Sequence, residues 1–352
     1  MIDWKASMQQ TFEYYIVDPE TWRDERMLTT VTSCTIDRDS TQSTLGSASI
    51  DCMDDIGECY VRIYLVASQN GLTYRFPLGT FLVQTPSTSF DGKVSSISMD
   101  AYTPLIELKE KTPPIGYSIQ KGASIMDLAT RLCSENIRAP VIPATDSSEL
   151  VHDFVSALDD TWLSFLTDLV ANANFSFSID EMGNILFSPN QNAASLRSVW
   201  TYDDGNSSIL YPDITLDRDL YGIPNVVEVV YSTDNGYLYA KAVNDDPNSP
   251  ISTITRGREI VTRITDPDLA GAPTRKEIEE YANRSLQSLS ALEYSITYTH
   301  GYCHTRIGDC VTLNYRRAGL VGVTAKVISQ HITCKSGCSV EETAIFTRNL
   351  WR

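Results

Sequence analysis

Hydrophobic and polar residues alternate with a period of two from Thr11 to Ala101. In residues 47–52, apolar side chains at every second position alternate with serine and aspartate. Asn70 and Gly71 stand between two apolar runs, and Asn-Gly supplies the positive φ angles of a tight hairpin turn. Several short strands at this spacing predict a small barrel or sandwich.

The pattern becomes helical after residue 111, where a Pro-Pro pair interrupts the strands. Ser124, with Asp127 three residues later, is the predicted cap of a first amphipathic helix. Asp159 or Asp160 is the predicted cap of a second helix with a wide apolar face. Residues 175–187 then alternate apolar and polar positions around an EMGN turn, which predicts a hairpin and completes a small α/β module.

Strands return in the last part of the chain. VVEVVYS is predicted to pair with YLYAKAV across a turn at residues 234–236. Thr274 and Glu277 stand at the two positions of a reciprocal capping box, which predicts a helix near residues 274–289. Three or four alternating strands are predicted after that helix.

These elements predict an α+β chain that is mostly β. The predicted domains are residues 1–111 for a first antiparallel β-barrel or sandwich, 112–200 for an α/β insert, and 201–352 for a second β domain. A length of 352 residues agrees with several cores. Both β segments contain a strand, Asn-Gly, strand pattern, which leaves open whether they are versions of one fold.

The net charge of −17 and a pI near 4.6 limit the kinds of partner that the protein is expected to bind. Such a surface repels nucleic acid and anionic lipid, so neither is an expected ligand. The sequence has no run of 18 apolar residues and no signal-peptide pattern at its start. We therefore expect assembly in a cytoplasm, with no membrane insertion and with reduced thiols.

Cysteine and histidine concentrate in the last 53 residues, where they are the candidates for a metal site. They are Cys303, Cys310, Cys334, Cys338, His300, His304 and His331. The set contains no CxxC pair, and alternate side chains of a strand point to opposite faces, so we predict buried thiols and no metal. A disulfide joining Cys303 or Cys310 to Cys334 or Cys338 stays open for a mature particle outside the cell.

Motifs for catalysis are missing from the sequence. It has no phosphate loop, nucleophile elbow or HExxH motif. Adjacent acids occur in loop-like contexts, at Asp54–Asp55, Asp203–Asp204 and Asp245–Asp246. Carboxylates at turns usually cap backbone donors. We predict no catalytic, cofactor-binding or metal residues, no cofactor and no enzymatic activity.

Six segments together resemble the baseplate hub family of contractile phage tails and related injection machines. FPLGTFLVQTP (76–86) is similar to a strand of that family's first tail-tube-like domain. GASIMDLATRLCSE (122–135) and residues 159–189 are similar to its α/β insert. NVVEVVYS, the helix from Thr274 and HTRIGDCVTLNY (304–315) are similar to its second tail-tube-like domain. The likeness lies mainly in the order of these pieces.

The resemblance implies a mechanical role in the baseplate of a virion tail, without additional C-terminal modules. Three chains would form a ring that adapts a six-fold tail tube to a three-fold central spike or tip. The tail tube or a distal tail protein would lie on one side, and the tape-measure protein and DNA would pass through the channel. An acidic lumen would not hold the passing DNA, which suits genome ejection. Assembly would take place in the cytoplasm of a host bacterium.

Two alternatives remain open at this stage. The first rival to the hub is another ring component, such as a distal tail protein or the tube itself, and the second is a carbohydrate-binding or hydrolytic tail protein. The second alternative would use Trp4, Trp22 and Trp200 together with the loop acids. Two β domains around an α/β insert favour the hub, whereas tryptophans gathered in one cleft would favour carbohydrate binding.

Overall fold

The computed structural model describes residues 2–90, 92–93, 95–191, 196–233, 236–267 and 273–350. Strands account for 47% and helices for 15%, which confirms the predicted mostly-β class. The chain divides into two units, unit 1 (Met1–Ile214 and Tyr298–Ala344) and unit 2 (Thr215–Thr297 and Ile345–Arg352). The predicted segments 1–111 and 112–200 thus share one unit, and the three-domain division stays a prediction.

The first seven strands of unit 1 are antiparallel and follow the sheet order β3-β4-β7-β6-β5-β1-β2. They are β1 (Gln9–Val17), β2 (Asp24–Leu28), β3 (Val31–Asp39), β4 (Gly46–Cys52), β5 (Tyr60–Gln69), β6 (Leu72–Phe90) and β7 (Ser95–Tyr102). The hairpin turn between β5 and β6 is confirmed, with φ of +54° at Asn70 and +76° at Gly71. Both residue types tolerate this left-handed conformation.

Burial along β4 follows the predicted alternation, with Ala48, Ile50 and Cys52 in the core. Strand β5 differs because both of its faces are buried. Its second face carries Arg62, only 1% exposed, and neighbouring tyrosines. A charged residue at that position does not look like core in a sequence, so a period-two pattern finds only one face of β5.

The insert lies in unit 1 and has its own hydrophobic core of helix and hairpin side chains. Its elements are α1 (Ile106–Glu110), β8 (Ser118–Ile119), α2 (Ile125–Asn136), β9 (Phe154–Val155), α3 (Trp162–Ala171), β10 (Phe175–Ile179) and β11 (Ile185–Pro189). Both predicted helices and the predicted hairpin are confirmed.

The structure bears out the predicted N-cap position of the first insert helix and corrects that of the second. Ser124 is the N-cap residue of α2, but its side chain makes no cap hydrogen bond, and its backbone forms a β-bridge with Glu149. Helix α3 is capped by Thr161, which exchanges hydrogen bonds with Ser164 in a capping box, and neither Asp159 nor Asp160 is its cap. The carboxylate of Asp160, which precedes the helix, accepts a hydrogen bond of 3.0 Å from the hydroxyl of Ser164.

The first and last parts of the chain meet in one sheet within unit 1. Strand β12 (Ser198–Asp203) runs parallel to β18 (Cys310–Asn314), which is antiparallel to β19 (Val323–Thr333). Strand β19 then pairs with β3, with Ile332 opposite Ile36. A short 3-10 helix follows β18 at Arg316–Ala318. Three strands begin in one unit and end in the other: β13 (Leu210–Arg218), β17 (Ala291–Gly301) and β20 (Ser339–Asn349).

Unit 2 has a three-stranded sheet, ordered β15-β14-β16, against one helix. Its elements are β14 (Val226–Thr233), β15 (Gly236–Val243), α4 (Thr253–Arg256), β16 (Val261–Thr265) and α5 (Arg275–Leu289). The predicted pairing of β14 with β15 is confirmed, and turn residues Asp234 and Asn235 lie outside the described residues. The capping box of Thr274 and Glu277 is confirmed. No helix in the described ranges is long and apolar enough to cross a bilayer.

Candidate functional site

The cysteines and histidines considered as metal ligands lie in several different environments. His331 faces solvent and pairs with Asp37 at 2.6 Å, and the His304 ring packs against Phe76. Cys334 and Cys338 are buried in the core of the first seven strands, together with Cys34. The residues that the structure describes hold no group of three side chains suited to a metal ion.

His300 and Cys303 belong instead to a buried polar cluster centred on Glu342. Its members are Tyr202, Tyr298, His300, Cys303, Thr305, Gln330 and Glu342. None of them is more than 3% exposed. Strands β12, β17, β19 and β20 and the loop after β17 contribute these side chains, so the Glu342 cluster joins distant parts of the sequence within unit 1.

Both carboxylate oxygens of Glu342 accept hydrogen bonds. Oε1 accepts from the hydroxyl of Tyr298. Oε2 accepts from Gln330 Nε2 at 2.7 Å and from Thr305 Oγ1 at 3.0 Å. A buried carboxylate is tolerated only when its oxygens are satisfied in this way.

Both ring nitrogens of His300 have polar neighbours. Its Nδ1 lies 2.8 Å from the carbonyl oxygen of Gly301, which only accepts, so Nδ1 carries a proton. Its Nε2 lies 3.0 Å from the hydroxyl of Tyr202 and 3.5 Å from Glu342 Oε2. Burial alone would lower the pKa of His300, but hydrogen bonds and charges from Cys303 and Glu342 outweigh it and raise that pKa to about 10.

Burial alone would raise the pKa of Glu342, but the hydrogen bond and charge of His300 hold that pKa below its ordinary value. The two side chains therefore form a buried ion pair. The cluster has the residue types of a catalytic site, but its buried side chains offer no surface to a substrate. The satisfied polar network holds four strands together, which is a structural role.

Hydrophobic periodicity alone does not predict this cluster, although the sequence contains a signal for it. Along β17 and β20 every second residue is buried, and His300 and Glu342 occupy two of those buried positions. A histidine and a glutamate on the core faces of two alternating strands predict a buried pair.

A second organised site attaches the insert hairpin to the first strands within unit 1. The carbonyl oxygen of Met182, at the hairpin tip, accepts from Trp22 Nε1 at 2.8 Å and from Arg62 Nη2 at 3.0 Å. Arg62 Nη1 also donates to Asp24 Oδ1 at 2.8 Å. These bonds fix the hairpin of the insert on β2 and β5 and explain the burial of Arg62.

Neighbouring residues of the same hairpin tip add to this attachment. Gly183 has φ of +80°, and a Cβ placed there would lie 2.8 Å from the Cβ of Thr80. The carboxylate of Glu181 lies 2.7 Å from the guanidinium of Arg306 and 3.8 Å from that of Arg38. All three residues line an adjacent cavity of about 170 Å³. The other two acids at this cavity are also engaged, since Asp180 accepts the backbone N–H of Asn184 and Asp37 pairs with His331, which is typical of a structural contact.

Strand β6 extends past its neighbour and forms an exposed arm with β7. Pairing with β5 ends at Leu82, whereas pairing with β7 continues to Phe90. The side chains from Pro86 to Phe90 are exposed where the structure describes them, and Phe90 at the tip is 69% exposed. We call residues 84–90 and 95–98 the β6–β7 arm. Beyond residue 83, β7 is the one described strand that pairs with β6. The other backbone edge of β6 is therefore open for pairing along the arm.

The tryptophans have different neighbours. The Trp4 ring packs on Phe76 and Tyr302, with centroids 5.0 and 5.2 Å apart, whereas Trp22 packs on Tyr60 at 4.8 Å. Trp200 lies half-buried on β12. These are the contacts of packing anchors and not of one carbohydrate cleft.

The paired acids cap local donors, as the sequence predicts. Asp55 accepts the backbone N–H of Gly57, and Asp246 accepts that of Asn248. A hydrogen bond from Lys5 lowers the pKa of Asp203. These contacts account for one member of each pair as part of a turn or a surface ion pair.

No family model matches the sequence, and no curated protein matches it. Among solved structures, the tail protein from Neisseria meningitidis MC58 is similar, with a TM-score of 0.61 and 12% identity over 97% of this chain and 98% of that chain. The 43 kDa tail protein of prophage MuSo2 from Shewanella oneidensis has a TM-score of 0.62 and 13% identity, over 95% and 98%. A chain of the half-lidded Francisella PdpA-VgrG complex has a TM-score of 0.55 and 10% identity, over 96% of this chain and 58% of that chain. Along nearly its whole length, the protein therefore has the fold of solved phage tail proteins.

Proposed function

We propose that the protein is a structural component of a phage-type tail, and specifically its baseplate hub. One observation carries this proposal: the likeness to the Neisseria tail protein covers 97% of this chain and 98% of the other. The shared fold therefore accounts for nearly all of the residues in both chains. The proposed role therefore rests on the fold of the whole chain.

In the proposed hub, residues 1–111 and 201–352 are two tail-tube-like domains and residues 112–200 are the insert between them. The pairing of β3 with β19 supports this arrangement, because it joins strands of the first and last segments in one sheet of unit 1. The hairpin contacts at Met182 support it too, since they hold the insert on the first strands.

Three copies form the proposed ring, which adapts the six-fold tube to a three-fold spike or tip. A heterologous ring needs complementary edges, and the β6–β7 arm offers one without charged side chains between Gln84 and Phe90. The proposed neighbours are the tail tube or a distal tail protein on one side and the spike on the other. The ring lies in the virion tail after assembly in the bacterial cytoplasm.

The proposed channel passes the tape-measure protein and DNA without binding either tightly. The net charge of −17 supports this part of the proposal. Polyanionic DNA is repelled by acidic walls, so it has no favourable site at which to stop.

Electron microscopy and mass photometry of the purified protein, alone and with its tail partners, test the proposal. We expect rings of three copies with six-fold pseudo-symmetry around an open channel. Rings of six identical copies would identify a different tail ring component. A stable monomer in the presence of tube and spike proteins would contradict a ring role altogether.

A further inference from the structure

Two cysteines lie directly opposite each other where β3 meets the end of β19. The antiparallel register places Thr333 opposite Thr35 and Ile332 opposite Ile36. One step further in this register pairs Cys334 with Cys34. The backbone N–H of Cys334 donates to the carbonyl of Cys34 at 3.0 Å, which extends the ladder to this pair.

Both thiols point into the same core. Cys34 is 3% exposed and Cys334 is 8% exposed, and each is two residues from a fully buried isoleucine on its own strand. Residues facing each other at a hydrogen-bonded position of antiparallel strands have Cα atoms about 5.5 Å apart. Disulfides join residues with Cα atoms roughly 4.4–6.8 Å apart, so the strand geometry meets this requirement.

A third thiol, Cys338, lies in the same core after a three-residue turn. Its backbone N–H donates to the carbonyl of Lys335 at 2.8 Å, which holds the turn closed. A bond between Cys334 and Cys338 would close only this turn. A bond between Cys34 and Cys334 would join strands that are 300 positions apart in the sequence.

We propose that Cys34 and Cys334 form a cross-strand disulfide when the protein meets an oxidising environment that contains a small disulfide. The Cys334 thiolate attacks the small disulfide, forms a mixed disulfide and releases one small thiol. The sulfur of Cys34 then displaces the second small thiol. Two protein thiols lose two protons and two electrons, one sulfur–sulfur bond forms in the protein, and one breaks in the oxidant.

The surroundings of the pair set the rate of this reaction. The hydrogen bond with Cys34, together with burial, raises the pKa of the Cys334 thiol well above its ordinary value. Thiolate is therefore scarce at neutral pH, and oxidation is slow. Cys334 follows the last residue of β19 and directly precedes the turn that ends at Cys338.

The bond would stabilise the protein through its unfolded chain. Closing a loop between residues 34 and 334 removes more conformational freedom from the unfolded state than closing a short loop does. It would also join the first and last parts of unit 1 covalently. This inference depends on the strand register and not on the proposed function, so either can fail alone.

Incubation of the whole protein with oxidised glutathione, followed by thiol titration in denaturant and non-reducing peptide mapping, tests the inference. We expect two fewer titratable thiols, a linked pair of peptides containing Cys34 and Cys334, and a higher melting temperature than that of the reduced protein. A link between Cys334 and Cys338, glutathione adducts alone, or an unchanged thiol count would overturn it.

Alanine variants separate the pair from its neighbours. Cys34→Ala is expected to lose the link and the oxidation-dependent rise in melting temperature. Cys338→Ala and Cys133→Ala, a buried cysteine of helix α2, are expected to keep both. Peptide mapping of the unmodified protein decides the question even if a variant fails to fold.

Discussion

The indole Nε1 of Trp22 donates a hydrogen bond to the backbone carbonyl of Met182 across 2.8 Å. Trp22 lies in the turn before β2, whereas Met182 lies at the tip of the insert hairpin. The same carbonyl accepts from Arg62, so one backbone oxygen is the meeting point of two segments predicted as separate domains. The strength of this attachment is measurable by changing one partner at a time.

Trp22→Phe is expected to lower the free energy of unfolding by about 0.5–1.5 kcal/mol, the net contribution of one hydrogen bond. Phenylalanine keeps an aromatic ring beside Tyr60 but has no donor for Met182. Urea unfolding measures the change. Tyr237→Phe, at a side chain 72% exposed, is the control and should unfold like the original protein. Equal stability of Trp22→Phe and the control would show that the bond contributes nothing.

Gly183→Ala is expected to destabilise the protein more than Gly116→Ala does. Both glycines have positive φ, +80° and +74°, so alanine has a similar backbone cost of about 1–2 kcal/mol at either site. Only at Gly183 does the new Cβ meet neighbours, Thr80 and Trp22. Chemical unfolding of the two variants under the same conditions measures the additional loss of stability that the steric contact causes at Gly183. Equal losses of stability would mean that the hairpin tip is loosely seated.

Local patterns predicted most elements of the fold because each rests on neighbouring residues. The Asn70–Gly71 turn, the Thr274–Glu277 capping box and the β10–β11 hairpin all follow from short spacings in the sequence. The cap of α3 was missed because Asp160 and Thr161 are both good capping residues, and the backbone selects between them. The sequence alone does not show which of the two residues occupies the N-cap position.

Hydrophobic periodicity does not show which strands pair when they are far apart in the sequence. The strand pattern gives no register between β3 and β19, so the sequence indicates Cys303 or Cys310 as partners of Cys334, whereas the structure places Cys34 opposite it. Likewise, His300 and Glu342 are 42 positions apart, and their meeting depends on the pairing of whole strands. Only the buried positions of these two residues in alternating strands indicated that they need partners.

The ion pair of His300 with Glu342 is expected to make stability depend on pH in a defined direction. The folded-state pKa of His300, about 10, lies above its ordinary 6.5, so its contribution is complete below 6.5 and is lost as pH rises towards 10. The pKa of Glu342 lies below its ordinary 4.5, so its contribution is present above 4.5 and is lost at lower pH. The pair therefore stabilises most between 4.5 and 6.5.

Glu342→Gln tests this dependence. Removing one charge of a buried pair costs about 3–5 kcal/mol, because the other is left uncompensated. We expect the difference from the original protein to be largest between pH 4.5 and 6.5 and to shrink towards pH 10, as measured by urea unfolding. Glu341→Gln, at the exposed neighbouring position, is the control. A difference independent of pH would contradict the protonated state of His300.

Phe90→Ala is expected to weaken ring formation while leaving the fold of the single chain intact. The side chain is 69% exposed at the tip of the β6–β7 arm, so its loss removes little packing within the chain. A large apolar group at the end of an open strand edge is a natural contact with a neighbouring copy. Leu72→Ala is the matched control, because Leu72 is 59% exposed at the other end of the same strand. Mass photometry should show fewer rings for Phe90→Ala and an unchanged population for Leu72→Ala, with equal melting temperatures for both. Equal ring populations would mean that the tip of the arm takes no part in assembly.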